Sequence, residues 1–243
     1  KTKIVSVTHI SNSLGTINPI RKIIEISHQK NVQVIIDGAQ AAAHVKLDMQ
    51  KLDADFYCFS AHKLYGPTGV GVLYGKENLL NILPPYQGGG EMIKDVSLLK
   101  TTYADLPHKF EAGTPNIAGV IAFKKSLDFI TETGLGNIKT HEDKLLDYAT
   151  EKLNSIKGLK IIGTSSDKSA IISFIIQDIH HYDLGLLLDK MGVAIRTGHH
   201  CTQPIMKKFK ISGTSRISFA YYNTIEEIDH LILAINKAIK MLS

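Results

Sequence analysis

The chain has 243 residues, 44% of them hydrophobic and 21% charged, with a formal net charge of +5. That length and composition predict one large domain or two modest ones around a sizeable core. The lysine excess is spread over helix faces with no arginine cluster or interleaved aromatics, which excludes a nucleic-acid partner from the reading, and no apolar run approaches the length of a membrane span.

The chain opens without methionine, directly in a strand-like run, Ile4 to Thr8, with no signal peptide. This predicts a piece of a longer protein. The segment His9-Ile-Ser-Asn-Ser-Leu-Gly-Thr16 follows. Asn18-Pro19 reads as a capped helix start. Ile20, Ile23, Ile24 and Ser27 then share a helical face to about Gln29, where Asn31 closes the helix. Val32 to Ile36 reads as the next strand, so the unit is strand–helix–strand with parallel strands. Asp55 to Phe59 and Val70 to Tyr74 read as further strands. Residues 76–116 are glycine-rich and irregular, a pattern that usually marks function or an interface.

From Asn116 the pattern turns to long helices. Ile117, Val120, Ile121, Leu127 and Ile130 form one expected inward face. Ile138, Leu145, Leu146, Ala149, Leu153 and Ile156 form a second, ended by Gly158. Short strands are expected at Leu159 to Ile162, Ala170 to Ile176, Val193 to Arg196 and Arg216 to Phe219. Asp183 is the expected cap of a helix carrying Leu184, Leu187, Leu188 and Met191. Thr224-Ile-Glu-Glu227 is a capping box before Ile228, Leu231, Ile232, Ile235 and Ile239. The expected domains are residues 1–125 and residues 126–243.

Two constellations carry chemistry. Asp37-Gly-Ala-Gln40 follows one strand, and Ser60-Ala-His-Lys63 follows another. Ligands in parallel sheets gather at such carboxyl ends, where Asn12 also falls. An amine at one strand end and a carboxylate at a neighbouring one are what pyridoxal phosphate requires. Lys63 would form the Schiff base, and Asp37 would keep the pyridine nitrogen protonated. Ser60 and His62 can hold phosphate oxygens, and Gln40 the ring oxygen. Alone, each is an ordinary strand-end or loop residue; it is their combination that points to the cofactor.

The second constellation is Arg196-Thr-Gly-His-His-Cys-Thr-Gln-Pro204. Cys201 in this polar loop can be an accessible nucleophile. A metal site from His199, His200 and Cys201 and a neutral surface loop are the competing readings. Consecutive histidines chelate poorly and no second cluster accompanies them, so no metal is expected. Arg196 and Arg216 lie at strand ends, where a guanidinium can fork onto an amino acid carboxylate. Cys58, in its apolar run, reads as an inert buried thiol. Two cysteines give no disulfide framework, which favours a reducing compartment, with the cytoplasm as the expected location.

These motifs, with Tyr65-Gly-Pro-Thr-Gly69, Gly88-Gly-Gly-Glu-Met92 and Phe110-Glu-Ala-Gly-Thr-Pro-Asn116, resemble the class V aminotransferase superfamily. The similarity is greatest to its group II, SufS-type cysteine desulfurases, through Arg196-Thr-Gly-His-His-Cys201. It runs the length of the chain, in order.

The resemblance implies an α/β protein of PLP fold type I. A partial large domain would hold a mixed, mostly parallel sheet, and a small C-terminal α/β domain would carry the cysteine loop. It implies further chain upstream, with a glycine/threonine phosphate loop and a histidine stacked on the cofactor ring. It gives Lys63, Asp37, Gln40, Ser60 and His62 the cofactor roles above, and Thr114 a phosphate contact across a homodimer. Asn12 and Arg216 become substrate-carboxylate contacts with Arg196 nearby, and Cys201 the sulfur-receiving nucleophile. The implied activity turns L-cysteine into L-alanine and a persulfide on Cys201. An acceptor of the SufE or SufU type would take the sulfur to iron–sulfur cluster assembly. Selenocysteine lyase activity and an inactive fragment or scaffold are the alternatives.

Overall fold

The computed structural model describes residues 1–242. The chain divides into two units, one of Lys1–Thr8 with Pro19–Glu132, the other of His9–Asn18 with Thr133 onward. The two units meet in sequence at Glu132–Thr133, near the end of a helix and a few residues past the expected change at 125–126. The segment His9–Asn18, expected with the first domain, goes with the second.

The first unit is built on a four-stranded sheet. Strand β1 is Ile4–Thr8, helix α1 is Ile20–His28 and strand β2 is Gln33–Asp37. The two strands pair in parallel, with Thr8 opposite Asp37. Ile20, Ile24 and Ser27 of α1 are buried, and the two isoleucines pack with Val34 and Ile36 of β2. Full burial of each such aliphatic side chain stabilises the unit by about 2 kcal/mol. Pro19 holds the cap position of α1 with no side-chain cap bond, so Asn18 lies one residue too early to be the expected cap.

A short helix α2, Met49–Leu52, was not legible in the sequence; Asp48 caps it by accepting from the Lys51 N–H. Strand β3, Phe56–Ser60, pairs in parallel with β2, and strand β4, Gly71–Gly75, closes the sheet antiparallel to β3. The order is β1-β2-β3-β4, a mixed sheet as expected. At the amino ends of β2 and β3, Asp55 is buried. Its Oδ2 accepts from the Val34 N–H at 2.8 Å and meets His28 Nε2 at 2.9 Å.

The glycine-rich stretch is more ordered than it read. It holds helix α3, Glu77–Ile82, and a hairpin of β5, Ile93–Val96, with β6, Thr101–Tyr103. Helix α4 is Ile117–Thr133. Of its expected face only Ile130 is buried, together with Gly119, Phe123 and Ser126, while Ile117, Val120, Ile121 and Leu127 are exposed. The buried stripe has helical spacing too, but a glycine and a serine within it hid it from a hydrophobic count.

The second unit holds helix α5, Leu135–Asn154, strands β7, Leu159–Ile162, and β8, Ile171–Ile176, and helix α6, His181–Lys190. Strand β9, Arg196–Gly198, helix α7, Gln203–Phe209, strand β10, Thr214–Ser218, and helix α8, Ile225–Leu242, complete it. The sheet order is β7-β8-β10-β9, and every pairing is antiparallel. Ile172, Phe174 and Ile176 of β8 pack with Leu145, Leu153, Leu184, Leu188, Ile228 and Ile235 of the helices.

The capping box forms as read. The Thr224 N–H donates to Glu227 Oε2 at 3.1 Å, and the Glu227 N–H donates to Thr224 Oγ1 at 3.3 Å. Three readings are corrected. His180, not Asp183, caps α6; β9 begins only at Arg196; and β10 begins at Thr214 rather than Arg216. The polar residues of these two strands and the Thr-Gly pair lowered their apolar signal.

Side chains alternate across a strand, so Ser173 points away from the helices. There its Oγ donates to the main-chain oxygen of Ser13, and both serines are buried. Gly15 brings the segment His9–Asn18 close to β8. Its φ is +73°, and a Cβ there would lie 2.7 Å from the main-chain oxygen of Ile171.

Candidate active site

Adjacent parallel strands place their carboxyl ends side by side. Asp37 ends β2 opposite Cys58, and the Gly38 N–H donates to Cys58 oxygen at 2.8 Å. The chain then turns, with the Ala39 N–H donating to Asp37 Oδ1 at 2.9 Å. Gly38 admits no side chain, because a Cβ would fall within the ring of Tyr57. Tyr57 is fully buried, and burial followed by the charge of Asp37 pushes its phenol well up. Cys58 is half-buried rather than sealed in the core. Burial, with Asp37 next, raises its thiol, which disfavours the reactive thiolate.

Ser60 ends β3, and Ala61–Lys63 follow as one turn of 3-10 helix. The turn is pinned where the Ala61 N–H donates to Val70 oxygen at 3.0 Å and the Leu64 N–H to Ala61 oxygen at 2.7 Å. Ala61 is buried, Ser60 and Gln40 are half-buried, and Asp37, His62 and Lys63 are exposed. The fold therefore brings Asp37, Gln40, Ser60, His62 and Lys63 to one end of one sheet. Thr114 lies apart from that sheet end in sequence, exposed in the loop ahead of α4.

The remaining site residues fall in the second unit. Arg216 of β10 pairs directly with Arg196 of β9. Arg216 Nη1 donates to the main-chain oxygen of Asn12 at 2.7 Å, and Asn12 Nδ2 donates to the main-chain oxygen of His200 at 2.8 Å. His200 is buried, and its Nε2 meets Thr214 Oγ1 at 2.9 Å. Burial, then the positive charge of Arg216, pushes its imidazole down to about 4, so the ring is neutral near pH 7. Burial and Arg196 likewise disfavour the Arg216 cation.

Arg216 Nε and His200 Nδ1 are buried without a hydrogen-bond partner among the described residues. A half-buried guanidinium with a buried spare donor has room for an acceptor, and an anion suits its charge. Beyond His200, Cys201 is exposed. His200 and Cys201 have φ of 52° and 60°, two consecutive non-glycine residues in the left-handed region. Each costs about 1–2 kcal/mol and persists only where its surroundings impose it. Part of the restraint is Thr202, whose N–H and Oγ1 each reach His199 oxygen at 2.8 Å. Among the described residues, no three His, Cys, Asp or Glu side chains gather as metal ligands.

The sequence reading did not identify Thr214 or the buried anchoring role of His200. A threonine opening a strand carries no signal of its own, and His200 read only as a neighbour of the cysteine.

Comparison with known proteins gives a consistent result. The model of the family described as aminotransferase class-V matches residues 1–231. A cysteine desulfurase of Wigglesworthia glossinidia brevipalpis is 49% identical over 99% of this chain, which spans 59% of that protein. The crystal structure of the cysteine desulfurase CsdA from Escherichia coli, in an S-sulfonic acid form, superposes with a TM-score of 0.95. It is 38% identical, and 99% of this chain covers 60% of it. The apo cysteine desulfurase of Thermococcus onnurineus NA1 gives a TM-score of 0.94 at 37% identity, with 60% of its chain covered. The chain thus spans about three fifths of the relatives it matches.

Proposed function

The chain belongs to the class-V aminotransferase family, and on that footing we propose that it carries the reacting lysine and thiol of a cysteine desulfurase. The reaction converts L-cysteine to L-alanine and leaves a persulfide on Cys201 for iron–sulfur cluster assembly. The observation that carries this reading is Arg216. Its buried Nε awaits an anion, and Asn12 ties the same arginine to the loop that bears an exposed thiol.

The donor set at the sheet end fits pyridoxal phosphate. Lys63 offers the amine for the aldehyde, Asp37 a carboxylate for the ring nitrogen, and Gln40 an amide for the ring oxygen. Ser60 and His62 suit the phosphate, with Thr114 as a further phosphate contact given across a dimer. When bound, the cofactor supplies an electron-withdrawing ring that acidifies the Cα–H of an amino acid.

The chain's own residues do the rest. Arg216, with Arg196 and Asn12, holds and orients the substrate carboxylate. Lys63 Nζ takes the Cα proton and returns protons to the alanine product. Cys201 attacks as thiolate on the substrate sulfur. The Sγ–S bond forms, the substrate Cβ–S bond breaks, and its electron pair ends in a C–H bond of alanine.

A homodimer is the proposed assembly, supported by the apolar face that α4 leaves exposed at Ile117, Val120 and Ile121. A persulfide-accepting protein of the SufE or SufU type is the proposed partner. The cytoplasm is the proposed location, supported by two free cysteines. Among the described residues no helix is long and apolar enough to cross a membrane.

The test is mass spectrometry of the full-length protein, loaded with cofactor and given L-cysteine. The peptide holding Cys201 should gain the mass of one sulfur, reversed by a reducing thiol. A peptide of unchanged mass, with alanine produced, would remove Cys201 from the reaction.

A further inference from the structure

We propose that Asn12 is a positioning residue for Cys201, locking the loop that carries the thiol to the arginine that would receive the substrate. The role of Cys201 as nucleophile rests on the function proposed above; the lock itself does not.

The thiol needs such a device. Cys201 is exposed, so its own side chain does not set its place. It follows His200 with both residues in the left-handed region, at φ of 60° and 52°, a pair the chain does not adopt unaided. Two groups grip His200 from outside the loop. Thr214 Oγ1 meets its ring Nε2 at 2.9 Å, and Asn12 Nδ2 donates to its carbonyl oxygen at 2.8 Å. The Asn12 bond reaches the peptide that links His200 to Cys201, so it acts on the backbone that aims the thiol.

Asn12 is itself held. Its main-chain oxygen accepts from Arg216 Nη1 at 2.7 Å. The neighbouring Ser13 is buried, and its oxygen accepts from Ser173 of β8. The Ser11 N–H donates to Thr16 oxygen at 2.9 Å. A rigid peptide thus stands between Arg216 and His200, with one bond to each. A carboxylate arriving at Arg216 would meet an arginine already bonded to the segment that fixes the thiol. Contact of Asn12 with the substrate carboxylate would be a separate role, and the two predict different effects of the same substitution.

The test uses full-length holoprotein with Asn12→Asp, which keeps the shape but removes the donor, and separately Thr214→Val, which frees the His200 ring. Hydrogen exchange is followed at the Thr202 amide, which donates to His199 oxygen at 2.8 Å. The expected result is exchange faster by about tenfold, the worth of one hydrogen bond, in both variants, with β8 amides unchanged. In Asn12→Asp the turnover number for sulfide release at saturating cysteine should fall by about tenfold, a loss separate from any weakening of cysteine affinity that the proposed carboxylate contact would add. Unchanged exchange at Thr202 in both variants would overturn the proposal. So would weakened cysteine affinity with an unaltered loop, which would leave Asn12 as a substrate contact only. A loosened loop in a protein that never releases sulfide would support the lock and reject the enzymatic reading.

Discussion

Arg216 and Asn12 meet at 2.7 Å, guanidinium Nη1 to main-chain oxygen, and Arg216 keeps a buried Nε with no acceptor among the described residues. The arginine is therefore held in place by the fold while part of its donor capacity is reserved. Arg196, its direct cross-strand neighbour, adds a second positive charge that disfavours the Arg216 cation, and an arriving anion would relieve that repulsion.

Arg216→Lys keeps the charge and loses the fork. A hydrogen bond to a charged group is worth about 1.5–3 kcal/mol, so kcat/KM for L-cysteine in the full-length enzyme should fall by about 10- to 100-fold. Cofactor absorbance should be retained, since Arg216 is not among the residues proposed to hold the cofactor. Steady-state kinetics with sulfide detection checks this, and an unchanged kcat/KM would contradict the carboxylate role.

Gly38 bears on stability as well as on the site. A Cβ at this position would lie within the Tyr57 ring. Gly38→Ala should lower the unfolding free energy by about 2 kcal/mol, the middle of the range for overpacking, and should disturb Asp37 beside it. Denaturant unfolding measures the first effect, and cofactor titration the second. A variant matching the wild type in both would show that Tyr57 can move aside freely.

Two histidines set a pH dependence. His9 and His200 are both pushed from 6.5 down to about 4, by burial in each case and at His200 by Arg216 as well. Between those values the unfolded chain binds protons that the folded chain refuses. Stability should therefore fall as pH drops from about 6.5 to about 4, and rise again on returning. His200→Gln should flatten part of that slope. Urea midpoints across this pH range test it, and a wild-type midpoint independent of pH would contradict the buried, neutral state of both rings.

Much of this architecture was legible because the sequence repeats one signal at several scales. The strand Ile4 to Thr8, the Ile20–Ile24–Ser27 stripe and Val34 with Ile36 all have the period of the element they form. The capping box at Thr224 and Glu227 was equally plain. The reading failed where burial is carried by residues with little hydrophobic weight. On α4 the buried stripe includes Gly119 and Ser126, so the more apolar Ile117, Val120 and Ile121 drew attention although they are exposed. The hairpin β5–β6 lies in an exposed segment where alternation has no core to report on.

The site followed the same division. Lys63, Asp37 and Cys201 stand out because amine, carboxylate and thiol fall directly after strands or within a turn-rich loop. Thr214 and the carbonyl of His200 act only through contacts made by residues far apart in sequence, so no local pattern reveals them. The carriage of Asn12 into the second unit was hidden for the same reason. It depends on Gly15 passing close to Ile171 and on Ser173 reaching Ser13.

The proposed reaction divides its labour between Lys63 and Cys201. The most direct measurement is sulfide release by the full-length protein with pyridoxal phosphate and L-cysteine, alongside the cofactor absorbance, in wild type, Lys63→Ala and Cys201→Ser. Lys63→Ala should lose both the absorbance and the activity. Cys201→Ser should keep the absorbance and its response to cysteine while sulfide release drops to background. Sulfide release by Cys201→Ser at the wild-type rate would contradict the account.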